Sequence, residues 1–415
     1  FVEDSINWYL DDSYGWCNKN KKAVKLLDGT IDSVPYDIYA DGLQLYTTID
    51  SRMQQYAEEA VREHVGGYLQ PAFYKGLKNN KNAPYYSSIP KDTKAECISS
   101  AMRRTERWRA MKKAGFSEDE IKASFEVPDT MCIFSWEKED GIDTVMTPMD
   151  SMLYYKSFLQ AGFMSMEAQT GHVKAYVGGI NYMHFKYDNV SKSRRQVGST
   201  FKPFIYCLLM QNPAYSPCTK VPNVEQTFKI EKAPNKYDFY TTSYSKSKLD
   251  GQMITLKQGL AGSLNQISAW ALKQVQPEAV VELAEKMGVH SPIDPYPSMC
   301  VGIPQVLLCE MVGAYCTYPN KGMYTRPVYI TKICDKDGNE LASFLPIQSE
   351  AISEETAAIM VEMLRGVVDM GTGSRIRYKY NLNGEIGGKT GTTNNNSDSW
   401  FMGITPKLVN GAWVG

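Results

Sequence analysis

Gly198-Ser199-Thr200-Phe201-Lys202-Pro203-Phe204 opens an apolar run, continued by Ile205, Leu208 and Leu209, with the period of a buried helix. It sets a hydroxyl three residues before an ammonium. Residues three apart share a helix face, so Ser199 and Lys202 can touch. A lysine that gives up its proton there turns the serine into a nucleophile. Serving as a base near neutrality asks for a drop of ~3 units from the ordinary 10.4, or about 4 kcal/mol, which burial and a second cation nearby would supply. Pro203 restricts the geometry. It lacks an amide hydrogen and biases Lys202 away from the α region, so the stretch has to be a first turn, where donors are orphaned anyway. The economical alternative is a helix N-terminus with a capping serine.

The spacing alone is cheap, because the chain holds five Ser-x-x-Lys sets. Ser88 and Lys91 enclose Pro90, which breaks a helix. Ser135 and Lys138 lie in a strand-like run, where that spacing does not share a face. Ser243 with Lys246, and Ser245 with Lys248, fall in a polar, tyrosine-rich loop. Only Ser199 opens a buried helical pattern.

Two later triplets decide what the pair is for. Ser263-Leu264-Asn265 sets a hydroxyl and an amide two residues apart, able to relay a proton and hold a peptide carbonyl. Ser5-Ile6-Asn7 has the same form, so this motif is weak by itself. Lys389-Thr390-Gly391-Thr392-Thr393 occurs once, on a strand entered through Gly387-Gly388, and glycine within a strand often marks close approach of another backbone. A cation and hydroxyl donors there suit a carboxylate. For a lone Lys-Thr-Gly, a β-turn would be the ordinary explanation.

The rest of the chain frames these motifs. At 415 residues two or three domains are expected. With 43% apolar and 22% charged residues and a net charge of −1, nothing points to nucleic acid or a charged membrane surface. There is no signal-peptide pattern and no apolar run long enough to span a bilayer. The nine cysteines show no zinc spacing and read mostly as small buried hydrophobes.

Residues 1–40 are mixed, with a short helix expected over Phe1–Leu10. Leu43–Ile49 alternates like a strand, and Asp50-Ser51 caps a helix whose apolar face is Met53, Tyr56, Ala57, Ala60 and Val61. Residues 67–160 are polar. They carry a basic run over 103–113, most simply a solvated helix face, and strand-like stretches at 132–136 and 144–146, which suggest a small β-rich module. A hairpin is expected at 163–177. Helices follow at 201–211, 255–274, 277–287, 305–317 and 354–369, then strands at 385–392, 399–404 and 408–414. Strands at both ends with helices between them make an α+β domain: one sheet closed by distant parts of the chain and covered by helices.

In order and context the three motifs resemble the Ser-x-x-Lys, Ser-x-Asn and Lys-Thr-Gly set of the transpeptidase domain of class A (bifunctional) penicillin-binding proteins. The middle residue of the second motif, Leu264, stands where Asp is familiar from the class A β-lactamases. The resemblance extends to Gly42–Asp50, Gly171–Gly179, Arg194–Ser199 and Asp398–Gly403, covering roughly 41–66 and 161–415. It implies a penicillin-binding protein/serine β-lactamase-like transpeptidase fold, an antiparallel sheet covered by helices plus an all-helical half. Residues 1–40 would be an interdomain segment, 41–66 a strand and helix leading in, 67–160 a variable insertion of small β-rich, OB-like kind, and 161–415 the transpeptidase domain. Relative to the family fold, a final strand and closing helix would lie beyond Gly415. A membrane anchor and a glycosyltransferase domain would lie upstream, placing the protein at the periplasmic face of the bacterial inner membrane.

The resemblance also assigns roles. Ser199 attacks a D-Ala-D-Ala stem peptide, Lys202 takes its proton, Ser263 passes a proton to the leaving amine, and Asn265 binds the substrate amide. Lys389 supports the electrostatics, and the Thr390–Thr393 stretch, Gly391 included, binds substrate, with Thr390 and Thr392 on the terminal carboxylate. The backbone N–H groups of Ser199 and Thr392 form the oxyanion hole. A second stem-peptide amine deacylates the enzyme, β-lactam antibiotics acylate the same serine, and no cofactor or metal is implied.

Two neighbouring functions stay open: a serine β-lactamase, and a penicillin-sensing module without turnover. The β-lactamase would need a Glu-x-x-Leu-Asn base, yet the corresponding positions before Leu264-Asn265 and Leu382-Asn383 are Ala261 and Lys379. A Ser-His-Asp hydrolase has no support. There is no Gly-x-Ser-x-Gly, and none of His64, His172, His184 and His290 sits in a triad context.

Overall fold

A computed structural model describes residue 16 and residues 20–25, 30–233, 236–242 and 248–415. The expected 1–10 helix, Ser5-Ile6-Asn7 and the two serines of the 243–248 loop fall outside them. The chain forms two compact units, one from residues 1–57, 161–178 and 187–415, the other from 58–160 and 179–186.

In the larger unit, β1 (Gln44–Thr47) leads to α1 (Ser51–Val61). Asp50 caps α1 as expected, its Oδ1 accepting the Arg52 and Met53 amides at 3.0 and 3.1 Å. The expected apolar face is narrower than its sequence period: Ala57 is buried, but Tyr56 is 64% exposed. The chain then supplies β2 (Ala161–Glu167), β3 (Val173–Val177), α2 (Lys202–Met210), α3 (Leu256–Ala261) and α4 (Asn265–Val275). After these come α5 (Leu308–Cys316), β4 (Ile330–Cys334), α6 (Glu354–Met370), β5 (Gly387–Thr392), β6 (Ser399–Ile404) and β7 (Leu408–Val414).

The sheet runs β5-β6-β7-β2-β3, antiparallel throughout, so strands far apart in sequence do close one sheet. One row of its register passes from Thr390 through Phe401, Ala412 and Phe163 to Val177. Because side chains alternate across a strand, Trp400, Met402, Val409, Trp413, Met164 and Met166 are buried in one core with α5 and α2. α2 is apolar nearly all round, and Phe201, Phe204, Ile205 and Leu209 have no exposed surface.

Two differences from the sequence expectations matter. The expected 255–274 helix is broken into α3 and α4 at Gly262-Ser263-Leu264. The 67–160 region is mainly helical, with helices Lys91–Arg103, Glu106–Lys113, Glu118–Ser124 and Pro148–Lys156 and one hairpin of Asp129–Ser135 with Lys138–Met146. It is therefore not β-rich. Three of those helices each bury a single large side chain, Met102, Trp108 or Ile121, against Phe125, which leaves almost no apolar period to detect. In the basic run, Arg103 and Lys112 flank Glu118 and Arg107 pairs with Asp129 at 2.8 Å, all on the surface. Cys207, Cys300, Cys316 and Cys334 are buried, but Cys132 and Cys218 are exposed.

α6 lies close against β5. A Cβ on Gly387 would sit 3.0 Å from the Arg365 backbone nitrogen and 3.1 Å from the Leu364 carbonyl carbon. Helix backbone cannot yield as a side-chain tip can. The Gly387→Val substitution is expected to cost about 1–3 kcal/mol through overpacking, seen as a lowered urea midpoint by circular dichroism.

Candidate active site

The nucleophile candidate sits in a 3₁₀ turn, Gly198–Phe201, that feeds directly into α2. Four contacts hold this turn. Gly198 N–H donates to the Gly302 carbonyl at 2.9 Å and Val197 N–H to that of Pro304 at 3.0 Å. Thr200 Oγ1 donates to the Val197 carbonyl at 2.6 Å, and the Tyr315 hydroxyl to that of Thr200 at 2.7 Å. Pro203 takes its place in the first turn of α2, where its missing N–H would have been an orphan. Lys202 itself is helical at φ −54° and ψ −40°, despite the bias a following proline imposes.

Ser199 is half-buried at the mouth of the turn, and Lys202 has no exposed surface. The expected Ser199–Lys202 hydrogen bond is not formed. Lys202 Nζ instead donates to the Ser263 carbonyl at 2.7 Å, to Asn265 Oδ1 at 2.8 Å and to Ser263 Oγ at 3.3 Å. An ammonium carries three donors and no acceptor, and these three contacts occupy all of them.

The second motif owes its shape to the break between α3 and α4. Leu264 N–H bonds to the Gly259 carbonyl and Ser263 N–H to that of Leu260, the paired bonds of a Schellman C-cap. Ser263 occupies the left-handed position of that cap at φ 57°, a place that favours glycine. Its side chain is thereby turned toward both lysines. Asn265 is the first residue of α4.

The third motif lies on β5, at the edge of the sheet. Lys389 is fully buried, and its Nζ donates to Ser263 Oγ at 2.9 Å and to the Thr390 carbonyl at 3.1 Å. Ser263 Oγ therefore sits between two lysine nitrogens. Burial brings Lys202 down to about 7. Burial also pushes Lys389 well below the ordinary lysine range, with the Lys202 charge adding to the effect. Gly198, at φ +55°, lets the turn and the strand meet: a Cβ there would lie 2.9 and 3.0 Å from the Thr392 carbonyl oxygen and nitrogen. The backbones at Ser199 and Thr392 are thus neighbours.

Comparisons with known proteins fit this geometry. Residues 161–414 match the penicillin-binding protein transpeptidase domain, and residues 80–159 match the penicillin-binding protein middle domain. The chain belongs to the penicillin-binding protein transpeptidase family. Penicillin-binding protein 1A of Aquifex aeolicus is 32% identical over 62% of this chain and 34% of its own length. That of Neisseria flavescens is 26% identical over 91% of the chain and 50% of its own. The chain thus spans a third to a half of these relatives. The crystal structure of penicillin-binding protein 1A from Haemophilus influenzae matches the whole chain with a TM-score of 0.64 at 19% identity, covering 65% of that protein. The penicillin-binding protein PonA1 from Mycobacterium tuberculosis matches with a TM-score of 0.59 at 17% identity, covering 82% of it. Both likenesses bear on the fold.

Within this family member, the structure brings Ser199, Lys202, Ser263, Asn265, Lys389, Thr390 and Thr392 to one site. Gly391 is buried against the Val197–Thr200 turn. Thr393 is set apart. Its hydroxyl bonds Asp398 Oδ2 at 3.0 Å and accepts the Asp398 amide at 2.9 Å, while Asp398 Oδ1 accepts Trp413 Nε1 at 3.0 Å. That closed network fixes the β5–β6 connection and leaves Thr393 no free donor for substrate.

Several residues to which the motifs assign no role also hold the site. Trp400 Nε1 bonds the Gln196 carbonyl at 2.9 Å, and Arg195 stacks 4.7 Å from the Trp413 ring. Tyr315 and Gly302 brace the turn. Thr372, just past α6, meets the Thr390 hydroxyl at 2.6 Å. Each acts through the fold, and the signal that could have flagged Thr372 is the helix stop at Gly371-Thr372-Gly373.

The left-handed serine can be tested in isolation. Ser263→Gly and Ser263→Ala lose the same hydroxyl but differ in tolerance of φ 57°. The glycine variant should be the more stable by about 1–2 kcal/mol, measured by urea unfolding of the two variants side by side.

Proposed function

We propose that this chain carries the peptidoglycan D,D-transpeptidase activity of a class A penicillin-binding protein, acting through a Ser199 acyl-enzyme. The observation that carries it is the convergence of two fully buried lysines on one serine hydroxyl, one of them Lys202, three residues after Ser199. A structural ion pair would supply a carboxylate here, whereas the partners of both lysines are neutral oxygens.

In this mechanism Lys202, once neutral, accepts the Ser199 proton, and the Ser199 oxygen attacks the penultimate D-Ala carbonyl of the donor peptide. The Ser199 and Thr392 backbone N–H groups face the developing oxyanion. Ser263, hydrogen-bonded to both lysines, passes a proton to the departing D-Ala amine. Asn265 orients the substrate amide, and Thr390 and Thr392 hold the terminal carboxylate near the Lys389 charge. The amine of a second stem peptide then deacylates Ser199; water in its place gives carboxypeptidase activity. β-Lactams react as D-Ala-D-Ala mimics. A glycosyltransferase domain and a membrane anchor at the periplasmic face would belong to the full-length protein, since the matched relatives are about twice as long as this chain. Among the described residues, no helix is long and apolar enough to cross a membrane.

Benzylpenicillin should leave a stable adduct that mass spectrometry maps to Ser199, absent in Ser199→Ala. Lys202→Met should slow acylation about 10²–10⁴-fold, the usual worth of a general base. No adduct would overturn the proposal. An adduct without turnover of a D-Ala-D-Ala peptide would favour a penicillin sensor.

The pH dependence has a definite sign. Lys202 must be neutral to act as base and its value lies at about 7, so the acylation rate should rise with pH through about 7 and then level off. A rate that is flat from pH 6 to 8.5 would remove Lys202 from the base role.

A further inference from the structure

Thr372 sits in the short loop that ends α6, between the two walls of the site. Its backbone N–H donates to the carbonyl of Ala261 at 3.1 Å, one residue before the Gly262-Ser263 cap. Gly371 packs so closely on the same carbonyl that a Cβ there would approach it to 2.2 Å. On the other side, Thr372 Oγ1 lies 2.6 Å from Thr390 Oγ1 on β5. The loop is pinned from within as well, Gly373 N–H bonding the Val367 carbonyl at 3.0 Å. One exposed threonine thus joins the Ser263 cap to the Lys-Thr-Gly strand.

We propose that Thr372 is a positioning residue that orients the Thr390 hydroxyl toward the substrate carboxylate and so favours substrates with a free C-terminus. The inference rests on the transpeptidase reading above, in which Thr390 binds that carboxylate. Each hydroxyl has one proton to give. When Thr372 donates to Thr390, the Thr390 proton is left to point outward, and a hydroxyl that already accepts a hydrogen bond is a better donor. Its bond to a carboxylate is charge-assisted, so the orientation matters most for an anionic substrate. A neutral ester gains far less from the same hydroxyl. Thr372 reaches no reacting atom and acts only through Thr390.

The test uses two thioester substrates, N-acyl-D-alanyl-thioglycolate and its methyl ester, with benzylpenicillin acylation as a third readout. Variants are Thr372→Val, Thr372→Ser, Thr390→Val and the Thr372→Val/Thr390→Val double. The expected result is a roughly tenfold loss of kcat/KM in Thr372→Val for the free acid and for penicillin acylation, of the size of one oriented hydrogen bond to a charged group. The methyl ester should be little changed, Thr372→Ser should restore the wild-type value, and the double variant should be no slower than Thr390→Val. Equal losses on acid and ester would show a merely structural role and overturn the proposal, as would multiplicative losses in the double variant. A Thr372→Val variant with wild-type preference for the acid overturns it too. A wild-type protein that penicillin does acylate, but whose Thr390→Val variant keeps its acid preference, overturns this inference and leaves the transpeptidase function standing. A wild-type protein that none of the three compounds acylates overturns the function, and this inference with it.

Discussion

Two lysine side chains without exposed surface share the hydroxyl of Ser263, and much of the larger unit is arranged to make that tolerable. Holding Lys202 at about 7 rather than 10.5 corresponds to about 5 kcal/mol against its charged form. A carboxylate partner would relieve the cost and destroy the effect, because it would raise the lysine back toward its ordinary range. The site supplies neutral oxygens instead: the Ser263 carbonyl and hydroxyl, the Asn265 amide and the Thr390 carbonyl. They satisfy the donors without restoring the charge. The offset comes from the surroundings, where Phe201, Phe204, Ile205 and Leu209 bury completely and contribute about 1.5–3 kcal/mol each.

That arrangement requires three distant segments to meet within hydrogen-bond distance, and the fold meets the requirement with backbone contacts. The 3₁₀ turn is held by Gly302 and Pro304 on one side and by Tyr315 from α5 beneath. The strand carrying Lys389 is placed by its register with β6, whose Trp400 indole returns to the Gln196 carbonyl. The Ser263 cap is held by its own Schellman bonds and by the loop after α6. Contacts of this kind are stiff. Side-chain tips can drift by an ångström, whereas main-chain bonds between packed elements cannot do so without unpacking the core.

The parts of this that could be seen in the sequence are those with a local signature. The buried helix behind Ser199 was visible in its apolar period, the strand of Lys389 in its paired glycines, and the closed sheet in strands at both ends of the α+β region. The break at Ser263 was not visible, because a left-handed serine takes a place where glycine would have announced the stop. Thr393 looked like its neighbours Thr390 and Thr392, and only the fold reveals that Asp398 occupies its hydroxyl. The middle region misled for a different reason. Its helices are short and each fully buries only one large side chain, so its hairpin was the clearest pattern there. For Thr372 the glycines on either side mark only a helix stop, and its partners, Ala261 and Thr390, are remote in sequence.

The absent Ser199–Lys202 bond fits the proposed chemistry better than its presence would. As an ammonium, Lys202 can only donate, and the three oxygens around it all accept from it. Removing one proton leaves a lone pair that cannot face the Ser263 carbonyl without repulsion, and Ser199 offers a donor within the same first turn. Proton loss and engagement of the nucleophile then become one event rather than two. Ser199 in the 3₁₀ turn and Lys202 at the start of α2 lie three apart in one continuous helical segment, so their side chains share a face, and Pro203 is accommodated in the helix that follows. Burial therefore brings the proton loss of Lys202 to about neutral pH while keeping the amine within one helical turn of Ser199.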